Sequence, residues 1–153
     1  MNRNLKTFYF IVIFILSQFV MTGQNKESNS EISTVDLNKE KLVIDSIVSQ
    51  FSMDFLFGDS IALANYYSKD GRFGSAKGDE IISAWGKIIR KSIKNNARTV
   101  KYTIISLTGD EEYLIDYGIF EMRDIYNINS KGKYLVVWKN ENGHWKMYRD
   151  DGL

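Results

Sequence analysis

The chain has 153 residues, 44% of them apolar and 25% charged, which is ordinary globular composition and enough for one domain with a real core but not for two. It has no cysteine, which excludes disulfides, thiol-dependent catalysis and a lipid-modified lipoprotein terminus. The formal charge of +1 supplies no concentrated basic surface for a phosphate backbone, so nucleic acid is excluded as a partner; Lys87, Arg90, Lys91 and Lys94 fall at helical spacing and read as a solvated helix face.

In chain order, Arg3 and Lys6 precede an unbroken apolar run over residues 8–16, and a polar stretch follows Gly23. A basic start, a short apolar run and a small-residue end at Thr22-Gly23 are the pattern of a cleavable signal peptide over residues 1–23. Even extended to Met21 the run contains Ser17 and Gln18 and falls short of the ~20 apolar residues a spanning helix needs, so membrane contact is expected only through an uncleaved signal. Export to the periplasm or the exterior is the consequence. Loss of Arg3 and Lys6 would leave 18 basic and 19 acidic residues. Residues 24–36, rich in Ser, Asn and Glu, have too few apolar side chains to offset the entropy of ordering them and are expected to be a disordered polar linker. The domain is expected over residues 37–153.

Over residues 37–57, Val43, Ile47, Phe51 and Phe55 recur every fourth position, with Ile44 and Val48 widening the stripe, which predicts a long amphipathic helix. Gly58 suits the left-handed position after its end, and Asp59 or Ser60 can cap a short second helix running to Tyr67. Asp70, Gly71, Arg72, Phe73 and Gly74 read as a turn into a short strand. A third helix opens near Asp79 and Glu80, whose acids suit the dipole there, presents Ile81, Ile82, Trp85, Ile88 and Ile89, and leaves at Asn95-Asn96.

After that the apolar period becomes two. Residues 100–107, 113–122, 134–138 and 145–149 read as four strands. Asn142-Gly143 favours the two positive φ angles of a tight hairpin turn. A regular ladder across it sets Glu141 opposite His144, Trp138 opposite Met147 and Val136 opposite Arg149. Tyr134, Val136, Trp138, Trp145, Met147 and Arg149 then face inward, while Leu135, Val137, Lys139, Lys146, Tyr148 and Asp150 face out. Helices followed by an antiparallel meander make an α+β plan.

This order of helix, Gly58-Asp59, short helix, Tyr67-Ser68-Lys69-Asp70-Gly71, a helix opening on Gly78-Asp79-Glu80-Ile81, then Gly132-Lys133-Tyr134-Leu135-Val136-Val137-Trp138 and Gly143-His144-Trp145-Lys146-Met147-Tyr148-Arg149-Asp150 resembles the nuclear transport factor 2-like superfamily. It is most similar to small bacterial members of unknown function grouped with ketosteroid isomerases and the SnoaL-like polyketide cyclases. The resemblance implies a cone, with N-terminal helices packed in a strongly curved antiparallel sheet, an apolar cavity open at one end, and dimerisation through the outer sheet surface. It also implies that an isomerase would carry a catalytic Asp a few residues after Asp70-Gly71. Phe73, Gly74, Ser75 and Ala76 stand there instead, and a serine without a base is a poor proton acceptor. The expectation leans towards a non-catalytic domain.

Asp116 is the best remaining carboxylate, because its strand face also carries Leu114, Gly118, Phe120 and Met122. Burial there raises a carboxyl pKa and suits a general base or a ligand contact, and equally a structural pairing with Arg149 or a tyrosine hydroxyl. Gly118 marks a sheet bend or leaves room for a ligand. Arg149, facing inward, needs Asp116, Asp151 or a bound anion. Asp150 faces outward on a regular ladder, although a bulge reverses it. With Tyr66, Trp85, Phe120 and Trp138 as aromatic walls, the candidate pocket comprises Tyr66, Trp85, Asp116, Phe120, Trp138, Arg149 and Asp150, suited to a small apolar or weakly acidic molecule. His144, alone of its kind, sits beside the hairpin turn. Asp110, Glu111 and Glu112 lack the alternating ligands of a calcium loop, and the glycines at 71, 74 and 78 lack a phosphate-binding pattern. Neither metal nor cofactor is expected.

Overall fold

The computed structural model of the chain describes residues 35–94, 99–124 and 128–152. The expected signal segment, nearly all of the expected linker and the Asn95-Asn96 helix exit lie outside them.

Helix α1 (Leu37–Phe57) begins where Asp36 accepts from the backbone N–H of Asn38 and Lys39, and ends at Gly58 in the left-handed conformation (φ 81°). There Asp59 N–H donates to Asp54 O and Gly58 N–H to Phe55 O, the paired bonds of a Schellman end. Its buried stripe runs through Ile44, Val48, Phe51 and Phe55, with Ile47 at the margin. Val43, expected in the stripe, is 39% exposed; the true face lies one position further round. Helix α2 (Ser60–Ala64) is capped by Asp59, which accepts from Ile61 and Ala62 N–H. It stops earlier than expected, because Tyr67 already belongs to a strand.

That strand, β1 (Tyr67–Phe73), turns into the two-residue β2 (Ala76–Lys77), and helix α3 (Asp79–Lys94) comes next. Trp85 and Ile89 succeed Ile81 at four-residue spacing and are buried with it. Then come β3 (Thr99–Gly109), β4 (Tyr113–Arg123), β5 (Ile128–Glu141) and β6 (His144–Gly152). The six strands form one sheet in the order β2-β1-β6-β5-β4-β3. Among the described residues every pairing is antiparallel except β1 with β6, so the expected meander is joined by a parallel strand and the sheet is mixed.

The hairpin turn forms as read, with Asn142 and Gly143 at φ 57° and 86°. Glu141 pairs with His144, Lys139 with Lys146 and Trp138 with Met147. Beyond that the ladder slips by one: Val137 pairs with Arg149 and Val136 with Asp150, leaving Tyr148 as the extra residue of a bulge. This corrects the regular register, because Arg149 moves to the outer face and Asp150 to the inner one. A second bulge between Ile104 and Ser106 breaks the β3–β4 ladder. One core joins α1, α3 and the inner sheet face, with Leu63, Leu114, Trp138 and Ile44 fully enclosed.

Candidate functional site

The inner sheet face, α1 and α3 leave a cavity of about 240 Å³. Val48 and Phe51 of α1, Trp85 and Ile88 of α3, and Phe73 at the end of β1 form one side. Tyr102 of β3, Phe120 and Met122 of β4, Tyr134 and Val136 of β5, and Met147 and Gly152 of β6 form the other. Phe73 stacks on Trp85 with ring centroids 4.5 Å apart, and Phe51 meets Trp85 edge-on at 5.2 Å. Two carboxylates, Asp116 and Asp150, interrupt this apolar lining.

The pairings place both acids in one transverse row of the sheet. Phe73 pairs with Asp150, Asp150 with Val136, Val136 with Asp116, and Asp116 with Leu107. Neighbouring strands lie about 4.8 Å apart, so the two aspartates stand about 10 Å apart at the backbone with Val136 between them. The Tyr148 bulge is what brings Asp150 into this row.

Asp116 is fully buried. It accepts from the Tyr134 hydroxyl at 3.2 and 3.4 Å and from Trp138 Nε1 at 3.4 Å. Burial pushes its carboxyl up to about 6; the bonds from Trp138 and Tyr134 pull the other way, Asp45 adds a small upward push and Lys41 a small downward one. Asp150 accepts from the Tyr67 hydroxyl, whose oxygen in turn accepts from Trp85 Nε1 at 3.2 Å. Its carboxyl is pushed up to about 7, chiefly by burial, against the Tyr67 hydrogen bond, with Asp151 and Asp116 adding like-charge repulsion. Both phenols are raised in turn, first by burial and then by the carboxylates beside them.

Of the residues expected in a pocket, the cavity gathers Trp85, Asp116, Phe120 and Asp150. Tyr66 lies elsewhere: its hydroxyl donates to Asp54 at 2.6 Å and its ring packs edge-on to Phe51. Trp138 is fully buried behind Asp116 and holds it instead of lining the cavity. Arg149, carried to the outer face by the bulge, donates to Tyr148 O at 2.6 Å and lies 3.6 Å above the Tyr148 ring. The partner of Asp116 is therefore a tyrosine hydroxyl and an indole, not Arg149.

Gly118 is explained by the same geometry. It pairs with Tyr134, and a Cβ there would fall onto the Tyr134 hydroxyl and the Thr103 carbonyl. The space belongs to the tyrosine, and the room expected for a ligand lies further along. Sequence reasoning missed Tyr67 and Tyr134 as the hydroxyls that hold the two acids. A glycine on an inward face opposite a tyrosine was the available signal for the second. Of the residues that stand where the resemblance would put an isomerase's base, Phe73 lines the cavity while Gly74 and Ser75 are exposed in the β1–β2 turn. His144 is exposed at the hairpin, and Asp110 accepts from the N–H groups of Glu112 and Tyr113, which makes its acidic loop a capped turn. Among the described residues no group of three His, Asp or Glu side chains is placed to hold a metal ion.

No protein-family model matches this sequence, and no curated protein matches it significantly. Solved structures do. An NTF2-like protein with a cystatin-like fold from Novosphingobium aromaticivorans superposes with a TM-score of 0.63 at 15% identity, covering 76% of this chain and 82% of that one. A domain of unknown function with a cystatin-like fold from Nostoc punctiforme gives 0.60 at 11% identity, covering 74% and 76%. An NTF2-like protein of unknown function from Shewanella oneidensis gives 0.53 at 12%, covering 75% and 98%. The helices packed on a six-stranded mixed sheet are thus the α+β fold of the NTF2-like proteins, as the sequence resemblance implied.

Proposed function

We propose that this domain is an exported, non-catalytic binder that takes a small, predominantly apolar molecule into the cavity between the inner sheet face and helices α1 and α3. The carrying observation is that about 240 Å³ is left open among aromatic and aliphatic side chains, with two hydrogen-bonded carboxylates turned into it. Export rests on the basic and then apolar pattern of the first 23 residues. The absence of a carboxylate at the isomerases' base position supports binding without conversion. Native mass spectrometry of the protein purified from its own host tests the reading. A retained small molecule that disappears in a Val136→Phe variant, whose larger side chain fills the cavity, is the expected result. An adduct that survives that substitution, or a host protein that is empty and takes up no apolar probe, overturns it.

A catalytic alternative uses Asp116 as a base, favoured by a carboxyl held near the pH of proton transfer. Conversion of the retained molecule by the wild-type protein and not by Asp116→Asn, with binding intact in both, would establish it. A second reading concerns the outer sheet face, where Ile115 is 45% exposed beside Val137 and Ile105 is 57% exposed at the β3 bulge. That apolar strip supports a homodimer.

A further inference from the structure

Resting on the cavity-binding reading, we propose that the cavity selects an organic ammonium ion carried on an apolar body, seated over the row Asp116–Val136–Asp150. Three observations converge on this class of ligand. Among the described residues the lining contains two carboxylates and no Lys, Arg or His, so no side-chain cation of the described wall pairs with them. The one residue expected to supply a cation, Arg149, is outside, bonded to the Tyr148 carbonyl. Lys41, which acts on Asp116 from α1, is joined to Asp45 at 2.8 Å.

The hydrogen bonding is also incomplete in one direction. A carboxylate offers about four acceptor sites. Asp116 receives one hydroxyl and one indole N–H at 3.2 to 3.4 Å, and Asp150 receives the Tyr67 hydroxyl. The remaining lone pairs need donors, and the rest of the lining is almost wholly apolar. A ligand ammonium supplies three donors and a positive charge together. Placed above Val136 it sits about one strand spacing, roughly 5 Å, from the strand of each acid. Phe120, Tyr102 and Trp85 line the same cavity and supply aromatic surface for the apolar body behind the charge. Once both carboxyls are ionised, an anionic ligand meets like charge from each of them.

Binding of this kind competes with protons. Asp116 is hydrogen-bonded by Tyr134 of β5 and feels the charges of Lys41 and Asp45 on α1; it acts on Asp150, which is hydrogen-bonded by Tyr67 of β1, feels Asp151 of its own strand and acts on Tyr102 of β3. Burial pushes their carboxyls up to about 6 and about 7, so the site is most anionic, and most receptive to a cation, above neutrality.

Calorimetry with three matched probes, a naphthylmethylamine, the corresponding naphthylmethanol and naphthoic acid, tests the assignment at pH 8 and pH 5.5. The amine is expected to bind at least tenfold more tightly than the alcohol at pH 8, the acid most weakly, and the amine's advantage to shrink at pH 5.5. Asp116→Asn and Asp150→Asn, made separately so that one folding failure does not decide the matter, should each cut the amine's advantage over the alcohol several-fold. Alcohol binding that equals or exceeds amine binding at pH 8, or an amine preference that persists in both variants, overturns the ammonium assignment and leaves the cavity reading standing. Binding of none of the three overturns both.

Discussion

Asp116 is where charge, burial and hydrogen bonding meet most closely, and its protonation reaches stability. Its carboxyl rises from an ordinary 3.8 to about 6 because the folded chain buries it. A group raised by folding contributes stability that is complete below its unfolded value and is lost as pH rises through the folded one. Asp150, raised to about 7, acts in the same sense. The ligand-free protein should therefore resist urea better at pH 5 than at pH 8. Asp116→Asn should flatten that slope by on the order of 1–3 kcal/mol, read as the difference in unfolding free energy at the two pH values. A wild-type protein more stable at pH 8 than at pH 5 would contradict the buried-acid account. Gly118 makes a second residue-scale prediction. Alanine there drives a methyl into the Tyr134 hydroxyl and the Thr103 carbonyl, so Gly118→Ala should cost about 1–3 kcal/mol and release Tyr134 from Asp116. Equilibrium denaturation measures the first effect, and a shift in the Asp116 carboxyl titration by NMR measures the second.

Among the elements, α1 illustrates how local chemistry fixes a boundary. Gly58 takes φ 81° and closes a Schellman end, so Gly58→Ala should destabilise the protein by about 1 kcal/mol although its methyl would meet Ile89 only at ordinary contact distance. A shift in the urea midpoint with unchanged slope is the expected readout. This end was legible in the sequence because capping is a local matter, and so was the hairpin as far as Met147, because alternation and the Asn142-Gly143 turn agree. Past Met147 the register was not legible. Tyr148, Arg149, Asp150 and Asp151 contain no aliphatic residue to mark a face, so a bulge leaves no trace in the period, and a one-residue slip exchanges Arg149 for Asp150 in the cavity. Residues 67–73 were obscure for a different reason. Tyr67 reads as the end of a helix and Asp70-Gly71 as the start of a turn, yet the segment becomes a strand through parallel pairing with β6, far along the chain. Tyr66 and Trp138 show a third limit: an aromatic on the right face can lie beside or behind a cavity, and depth depends on neighbours that local pattern does not contain.

At the scale of the molecule, the two faces of the sheet differ in what they present. The inner face carries the core and the cavity. On the outer face, Ile115 pairs with Val137 and Tyr117 with Leu135, a strip across β4 and β5 bordered by Lys133, Lys131 and Glu121. A stable interface needs on the order of 1,000 Å² of buried surface with an apolar centre and a charged rim, which is the pattern this face presents. If two copies meet there about a two-fold axis, each contact occurs twice, so one substitution is felt on both sides. Ile115→Lys puts two ammonium groups into the same apolar centre, where they repel each other and lose hydration. Sedimentation velocity over the micromolar range should show a dimer for the wild-type protein and a monomer for this variant. Because Ile115 points away from the cavity, the variant should retain the same small molecule and the same pH dependence of unfolding. A wild-type protein that stays monomeric at micromolar concentration would refute the dimer, and a variant that loses ligand along with its partner would mean that the two faces are coupled through β4.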